Sequence, residues 1–144
     1  MDEKEYNKLK QYPIHRDLNP ENIIWKDRKI SGIIDFDNVS ELNDTLIKDV
    51  SIVIQYCCPN KLKKLEFEKA KFFINEYRKY RKLSEEEIKL LPEILAAAFI
   101  EDFSFQYWLM NNDSGRAKPE RLKIYSRAAQ WYYKNKAKII KQLG

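Results

Sequence analysis

Cysteine is almost missing from this chain: Cys57 and Cys58 are the only two in 144 residues. Side chains adjacent along a chain point in different directions, so a bridge between them would be strained, and both read as reduced thiols of a cytosolic core. No apolar run approaches the roughly 20 residues that span a bilayer. The opening stretch MDEKEYNKLK is charged, with no hydrophobic segment behind it, which excludes a secretory leader from the expectation and places the protein in the cytoplasm. Repeats, low-complexity tracts and internal linkers are also lacking. The net charge of +5 does not point to nucleic acid, because the lysines of 61–71 and 134–141 interleave with Leu, Phe, Ile and Glu at helical spacing and so coat solvated helix faces.

What is present suits one folded domain spanning 1–144. Apolar residues make up 44% of the chain and aromatic residues 13%, enough to build one core at this length. The expected fold class is α+β and mostly helical. A helix over 2–11 should stop before Pro13. Ile23–Trp25 and Ile30–Phe36 read as two strands of a hairpin around the polar turn 26–29, with Asp35 delivered by the second strand. Asp44 is placed to cap a helix whose inner face holds Leu46, Ile47, Val50, Ile54 and one of the two cysteines, up to Pro59. A further helix is expected over 61–80, with Leu62, Leu65, Phe73, Tyr77 and Tyr80 along one stripe. Ser84 and Glu87 form a capping box that opens a helix to about Met110. Its stretch 94–110, apolar nearly all round, should be the most buried, with Tyr107 and Trp108 in the core as Trp131 is. Pro119 starts a last helical region, with Leu122, Tyr125, Ala129, Tyr132, Ile139 and Leu143 on its inner face.

The segment HRDLNPEN, followed by IIDFDN, carries the chemistry. Phosphoryl transfer needs a carboxylate to orient the attacking hydroxyl and hard oxygen ligands for magnesium on the nucleotide phosphates. A His, an Asp two residues on and an Asn five beyond that supply such groups on one loop, here His15, Asp17 and Asn22. Asp17 takes the place of the base, and Asn22 and Asp35 those of Mg²⁺ ligands for a bound ATP or other nucleoside triphosphate. His15 is expected to tie the loop to the backbone beside Asp35 rather than to carry a proton. Arg16 is expected near a carboxylate. Glu101 and Asp102 interrupt the apolar helix; either the pair attracts a cationic acceptor such as an amino sugar or choline, or at least one of them points to water.

HRDLNPENIIW with ISGIIDFDNV resembles the C-terminal lobe of the aminoglycoside phosphotransferase, choline kinase and homoserine kinase superfamily, a protein-kinase-like fold. The resemblance implies a catalytic loop and metal-binding hairpin over 12–40 and a helical acceptor-site subdomain over 44–143. It implies that Phe36 follows the metal-binding aspartate and that Asp49, in NDTLIKDVSIVI, is the counterpart of the family's helical aspartate. It also implies a small-molecule acceptor for the phosphoryl group. Two positions depart from the family pattern: Arg16 stands where a small residue is usual, and Asp37 where glycine often follows, adding a carboxylate that supports a second metal or caps a turn.

Only fourteen residues precede His15, and none belongs to a glycine-rich phosphate loop. The expectation is therefore a catalytic and acceptor lobe, poorly active alone, from a shortened gene or from an assembly completed by a nucleotide lobe or a second copy. The alternative is a non-catalytic remnant or protein-interaction module.

Overall fold

The computed structural model describes residues 3–39 and 44–144. Residues 2 and 40, at the edges of the expected first helix and of the expected loop-and-hairpin unit, lie outside them. The architecture is α+β and mostly helical: α1 (Glu3–Asn7), β1 (Gln11–Tyr12), β2 (Ile23–Lys26), β3 (Lys29–Ile33), β4 (Asp44–Thr45), α2 (Leu46–Cys57), α3 (Phe67–Arg78), α4 (Glu85–Asn112), α5 (Pro119–Lys134) and α6 (Lys136–Leu143).

The first helix is shorter than expected. Gln11 and Tyr12 leave it to pair antiparallel with Thr45 and Asp44, and this tie brings the start of α2 beside the loop that begins at Pro13. The hairpin is present, with Lys26 opposite Lys29 and a two-residue turn at Asp27 and Arg28, both at positive φ (50° and 62°). Two such residues match the right-handed twist of the flanking strands. Strand β3 stops at Ile33, so Asp35 lies two residues past its end, itself at φ 62°. A short 3-10 turn, Phe36–Asn38, follows.

Asp44 does not cap α2. Thr45 holds that position without a side-chain cap, because Asp44 sits in β4 with its carboxylate turned to Tyr6 and Arg16. The inner face of α2 consists of Ile47, Val50, Ile52 and Ile54, joined by two polar residues, Ser51 and Gln55; Cys58 is buried and Cys57 exposed. The next helix begins at Phe67 rather than Lys61. Pro59 bridges to Leu65 instead, across a turn in which Lys63 has a left-handed backbone, leaving Leu62 exposed and Leu65 buried.

The capping box opens α4 as the sequence indicates: Glu87 N–H donates to Ser84 Oγ at 3.1 Å, and Ser84 N–H to Glu87 Oε2 at 2.7 Å. This helix packs along α5, α2 and α6. Leu91, Leu95 and Phe99 are buried against Ile47 and Ile54 of α2, Ile74 of α3, Ala128 and Tyr132 of α5 and Ile139 of α6, with the rings of Phe99 and Tyr132 stacked at 5.3 Å. Burial of each such side chain favours the fold by about 1.5–3 kcal/mol. The C-terminal half of α4 is less buried than expected. Ile100, Phe105, Tyr107 and Trp108 are each more than half exposed. Trp131 is half-buried against the core.

Candidate functional site

The loop from His15 to Asn22 is built from its own polar side chains. Asn19 caps the 3-10 turn Pro20–Asn22, its Oδ1 accepting from Glu21 N–H at 2.8 Å, and Pro20 supplies a preset φ at the first position of the turn. The backbone N–H of Ile34 donates to Asn22 O at 3.0 Å, which fastens the loop to the end of the hairpin.

Asp17 lies at the centre. Asn19 Nδ2 donates to its Oδ1 at 2.7 Å, and Asn22 Nδ2 to its Oδ2 at 3.0 Å and to its backbone O at 2.8 Å. A carboxylate only accepts, so the Asn22 amide must present nitrogen to Asp17 and leave Oδ1 facing away. No described residue donates to that oxygen. Asn22 is 7% exposed, whereas Asp35 is solvent-exposed and its carboxylate caps nothing. The loop and hairpin thus offer two hard oxygen donors, one buried amide and one open carboxylate. No group of three or more His, Cys, Asp or Glu suited to a metal occurs among the described residues. Hard oxygen donors of this kind are the ligand type that Mg²⁺ selects.

His15 is 7% exposed. Its Nε2 lies 2.9 Å from the carbonyl O of Ile34, the residue before Asp35, and its Nδ1 lies 3.3 Å from Asp17 N–H. A carbonyl requires a donor and an N–H requires an acceptor, so the Nε2–H tautomer satisfies both. The ring packs at 4.7 Å from that of Phe36. Asp49, in the first turn of α2, accepts the N–H groups of His15 at 2.9 Å and Arg16 at 2.8 Å. Arg16, at φ 65°, donates from Nη2 to Asp44 Oδ2 at 2.9 Å. Asp37 lies in the exposed turn after Phe36.

Beside the loop opens a cavity of about 160 Å³, lined by Tyr6, Arg16 and Asp17 on one side, Lys48, Ser51, Gln55 and Tyr56 of α2, and Ala97, Ala98, Glu101 and Asp102 of α4. Asp17 and the two acidic residues of α4, far apart in sequence, thus share one space. Glu101 meets Lys48 at 3.4 Å on the rim. Asp102 accepts from Gln55 Nε2 at 2.9 Å, and Gln55 is 4% exposed. Burial pushes the Asp102 carboxyl up to about 6, with Glu101 adding to the rise while Gln55, Lys63 and Arg121 oppose it. Burial also raises the Tyr56 hydroxyl, with Asp102 and Asp17 adding to the rise.

The Asp102 shift has a definite sign. Between the ordinary carboxyl value of 3.8 and about 6, the folded chain holds a proton that the unfolded chain has lost, so stability falls as pH rises through that window and stays lower above it. In urea unfolding, Asp102→Asn is expected to be more stable than the parent at pH 8 by about 1 kcal/mol, a value reduced for the solvent at its open side, and equal to it near pH 3.5. A pH-independent difference would contradict the assignment.

Gln55, Lys48, Tyr56, Tyr6 and Asn19 carry no motif signal in the sequence. Ser51 and Gln55 carry a signal of spacing instead: two polar residues one helical turn apart on a face that is otherwise apolar.

The model of the phosphotransferase enzyme family matches residues 5–59, which contain the loop, the hairpin and Asp49. A homoserine kinase of Bradyrhizobium diazoefficiens is 39% identical over 87 residues, 60% of this chain and 26% of that protein. One from Sinorhizobium fredii is 31% identical over 104 residues, 71% of this chain and 31% of its own length. The chain therefore spans between a quarter and a third of these relatives. No solved structure was found to match. Residues 5–59, which contain Asp17, Asn22 and Asp35, match the phosphotransferase enzyme family, and the chain is similar to about a quarter to a third of the homoserine kinases' length.

Proposed function

We propose that this chain is the catalytic and acceptor-binding part of an ATP-dependent phosphotransferase acting on the hydroxyl of a small molecule in the cytoplasm. Residues 12–40 serve as catalytic loop and metal-binding hairpin, and residues 44–143 as the acceptor subdomain, in the manner of a protein-kinase-like C-terminal lobe. One observation carries the proposal: Asp17 and the acidic pair of α4 line the same cavity.

Asp17 orients the acceptor hydroxyl and takes its hydrogen bond, held in one rotamer by Asn19 and Asn22. Asn22 Oδ1 and the Asp35 carboxylate hold Mg²⁺, which when bound neutralises charge on the nucleotide phosphates. Asp102 and Glu101 attract an amine on the acceptor, and Lys48 at the rim suits a carboxylate. The cavity is well below the roughly 300–1,000 Å³ usual for drug-sized ligands, which favours a compact amino alcohol such as homoserine over an aminoglycoside.

Isothermal titration tests this reading. MgATP is expected to give a binding heat that Asp35→Asn weakens by at least about tenfold, and L-homoserine a heat that depends on Asp102. A folded protein giving no heat with MgATP at about 1 mM, the upper end of usual KM values, would count heavily against the transferase reading.

A second reading, a non-catalytic interaction module, is favoured by the hairpin surface. Ile24, Trp25, Ile30, Ile33, Ile34 and Phe36 are all exposed, Trp25 by 60%, and an apolar patch of this kind marks a contact surface more often than a free one. Absence of nucleotide binding together with concentration-dependent self-association would favour it.

A further inference from the structure

We propose that Tyr6, Asp44 and Arg16 form a clamp that holds the loop backbone at Arg16 in its left-handed conformation and so aims the Asp17 carboxylate into the cavity. The clamp joins three separate segments. The Tyr6 hydroxyl, from α1, donates to Asp44 Oδ1. Arg16 Nη2, from the loop, donates to Asp44 Oδ2 at 2.9 Å, and Thr45 N–H donates to Asp44 Oδ1 at 2.7 Å. Asp44 is 5% exposed. A carboxylate so buried is costly unless its oxygens are matched by donors, so the three side chains hold or fail as a unit.

The clamp acts at a strained point. A bulky residue at positive φ costs roughly 1 kcal/mol or more and persists only where its surroundings over-determine it. At Arg16 both ends of the residue are fixed: Asp49 takes its N–H and Asp44 its guanidinium. The next residue is Asp17, so the direction of the Asp17 side chain follows from the Arg16 backbone angles. Tyr6 and Arg16 also line the cavity beside Asp17, which makes the clamp part of the wall it organises. Its protonation state is stable through the neutral range. Burial and the bond to Asp44 push the Tyr6 hydroxyl up to about 12. Burial alone would raise Asp44, but donation from Tyr6, Thr45 and Arg16 holds it below its ordinary value.

That Asp17 is the group being aimed rests on the proposed transferase reading; the clamp itself does not. Tyr6→Phe and Asp44→Asn in the full chain separate the two. Amide hydrogen exchange is expected to accelerate about tenfold at Arg16 and Asp17 while the core amides of α4 and α5 keep their rates. With MgATP and L-homoserine, kcat is expected to fall about 10–100-fold, with KM for homoserine within about twofold. Because Tyr6 and Arg16 act through the same carboxylate, Tyr6→Phe combined with Arg16→Ala should cost no more than Arg16→Ala alone, and Arg16→Lys should recover part of the loss. Unchanged exchange at the loop, acceleration spread evenly over α4 and α5, or multiplicative effects in the double variant would each overturn the clamp. Loop-confined acceleration in a protein whose parent binds no MgATP would retain the clamp and count against the transferase reading.

Discussion

Asp17→Asn is expected, on the proposed transferase reading, to lower the rate of any phosphoryl transfer to a small-molecule hydroxyl by a factor of about 10²–10⁴ with little change in the KM for nucleotide. The substitution keeps the shape of the side chain and removes the charge. An amide in this position presents one acceptor where the carboxylate presents two, so Asn19 and Asn22 can no longer both donate to it. The free side of the group then cannot accept the hydroxyl proton that the reaction displaces. Stability should change by no more than about 2 kcal/mol, because the lost hydrogen bond faces a partly open cavity. Steady-state kinetics together with urea unfolding check the prediction, and a variant that keeps more than a tenth of the parent kcat would remove Asp17 from the role of base.

The largest effect on the fold is expected at Asp49. Its carboxylate accepts two backbone N–H groups, those of His15 and Arg16. Asp49→Ala leaves both donors without a protein partner beside a buried imidazole, at about 1–3 kcal/mol each, which together with the relaxing left-handed residue gives a loss of about 3–5 kcal/mol. That is a large share of the roughly 5–15 kcal/mol by which a domain is stable. Asp49→Asn retains one acceptor and should lose about half as much. Urea unfolding measures both, and an alanine variant within about 1 kcal/mol of the parent would show that the loop does not depend on this helix. Asp49 and the Asp44 clamp differ in what they hold: the first takes backbone donors, the second a side chain and a neighbouring helix.

Much of this arrangement was legible from residue spacing. The hairpin, the capping box at Ser84 and Glu87 and the start of α5 at Pro119 depend on interactions within a few residues or on a regular period, and these are written locally. The misreadings share a different cause. Asp44 has the composition of a helix cap, but it spends both carboxylate oxygens on Tyr6, Arg16 and Thr45, and the first two of these partners lie at least 28 residues away in sequence. Leu62 and Tyr80 fall on an apolar stripe, yet α3 starts only at Phe67 because the preceding chain bridges Pro59 to Leu65. Phe105, Tyr107 and Trp108 are apolar enough for a core, but they lie on a part of α4 that is left more than half exposed at those residues.

The sequence by itself determined the helical class and the hairpin around a polar turn, because periodicity and capping act at short range. Tertiary structure alone decided that Glu101 and Asp102 would share a cavity with Asp17, that Gln55 would turn its amide to Asp102, and that Tyr6 would reach Asp44. The physical reason is that each of these contacts joins groups on elements whose mutual placement is set by non-directional burial of Ile47, Leu95, Phe99 and Tyr132. Apolar packing sets where the helices lie, and only then do the polar groups they carry come within hydrogen-bonding distance.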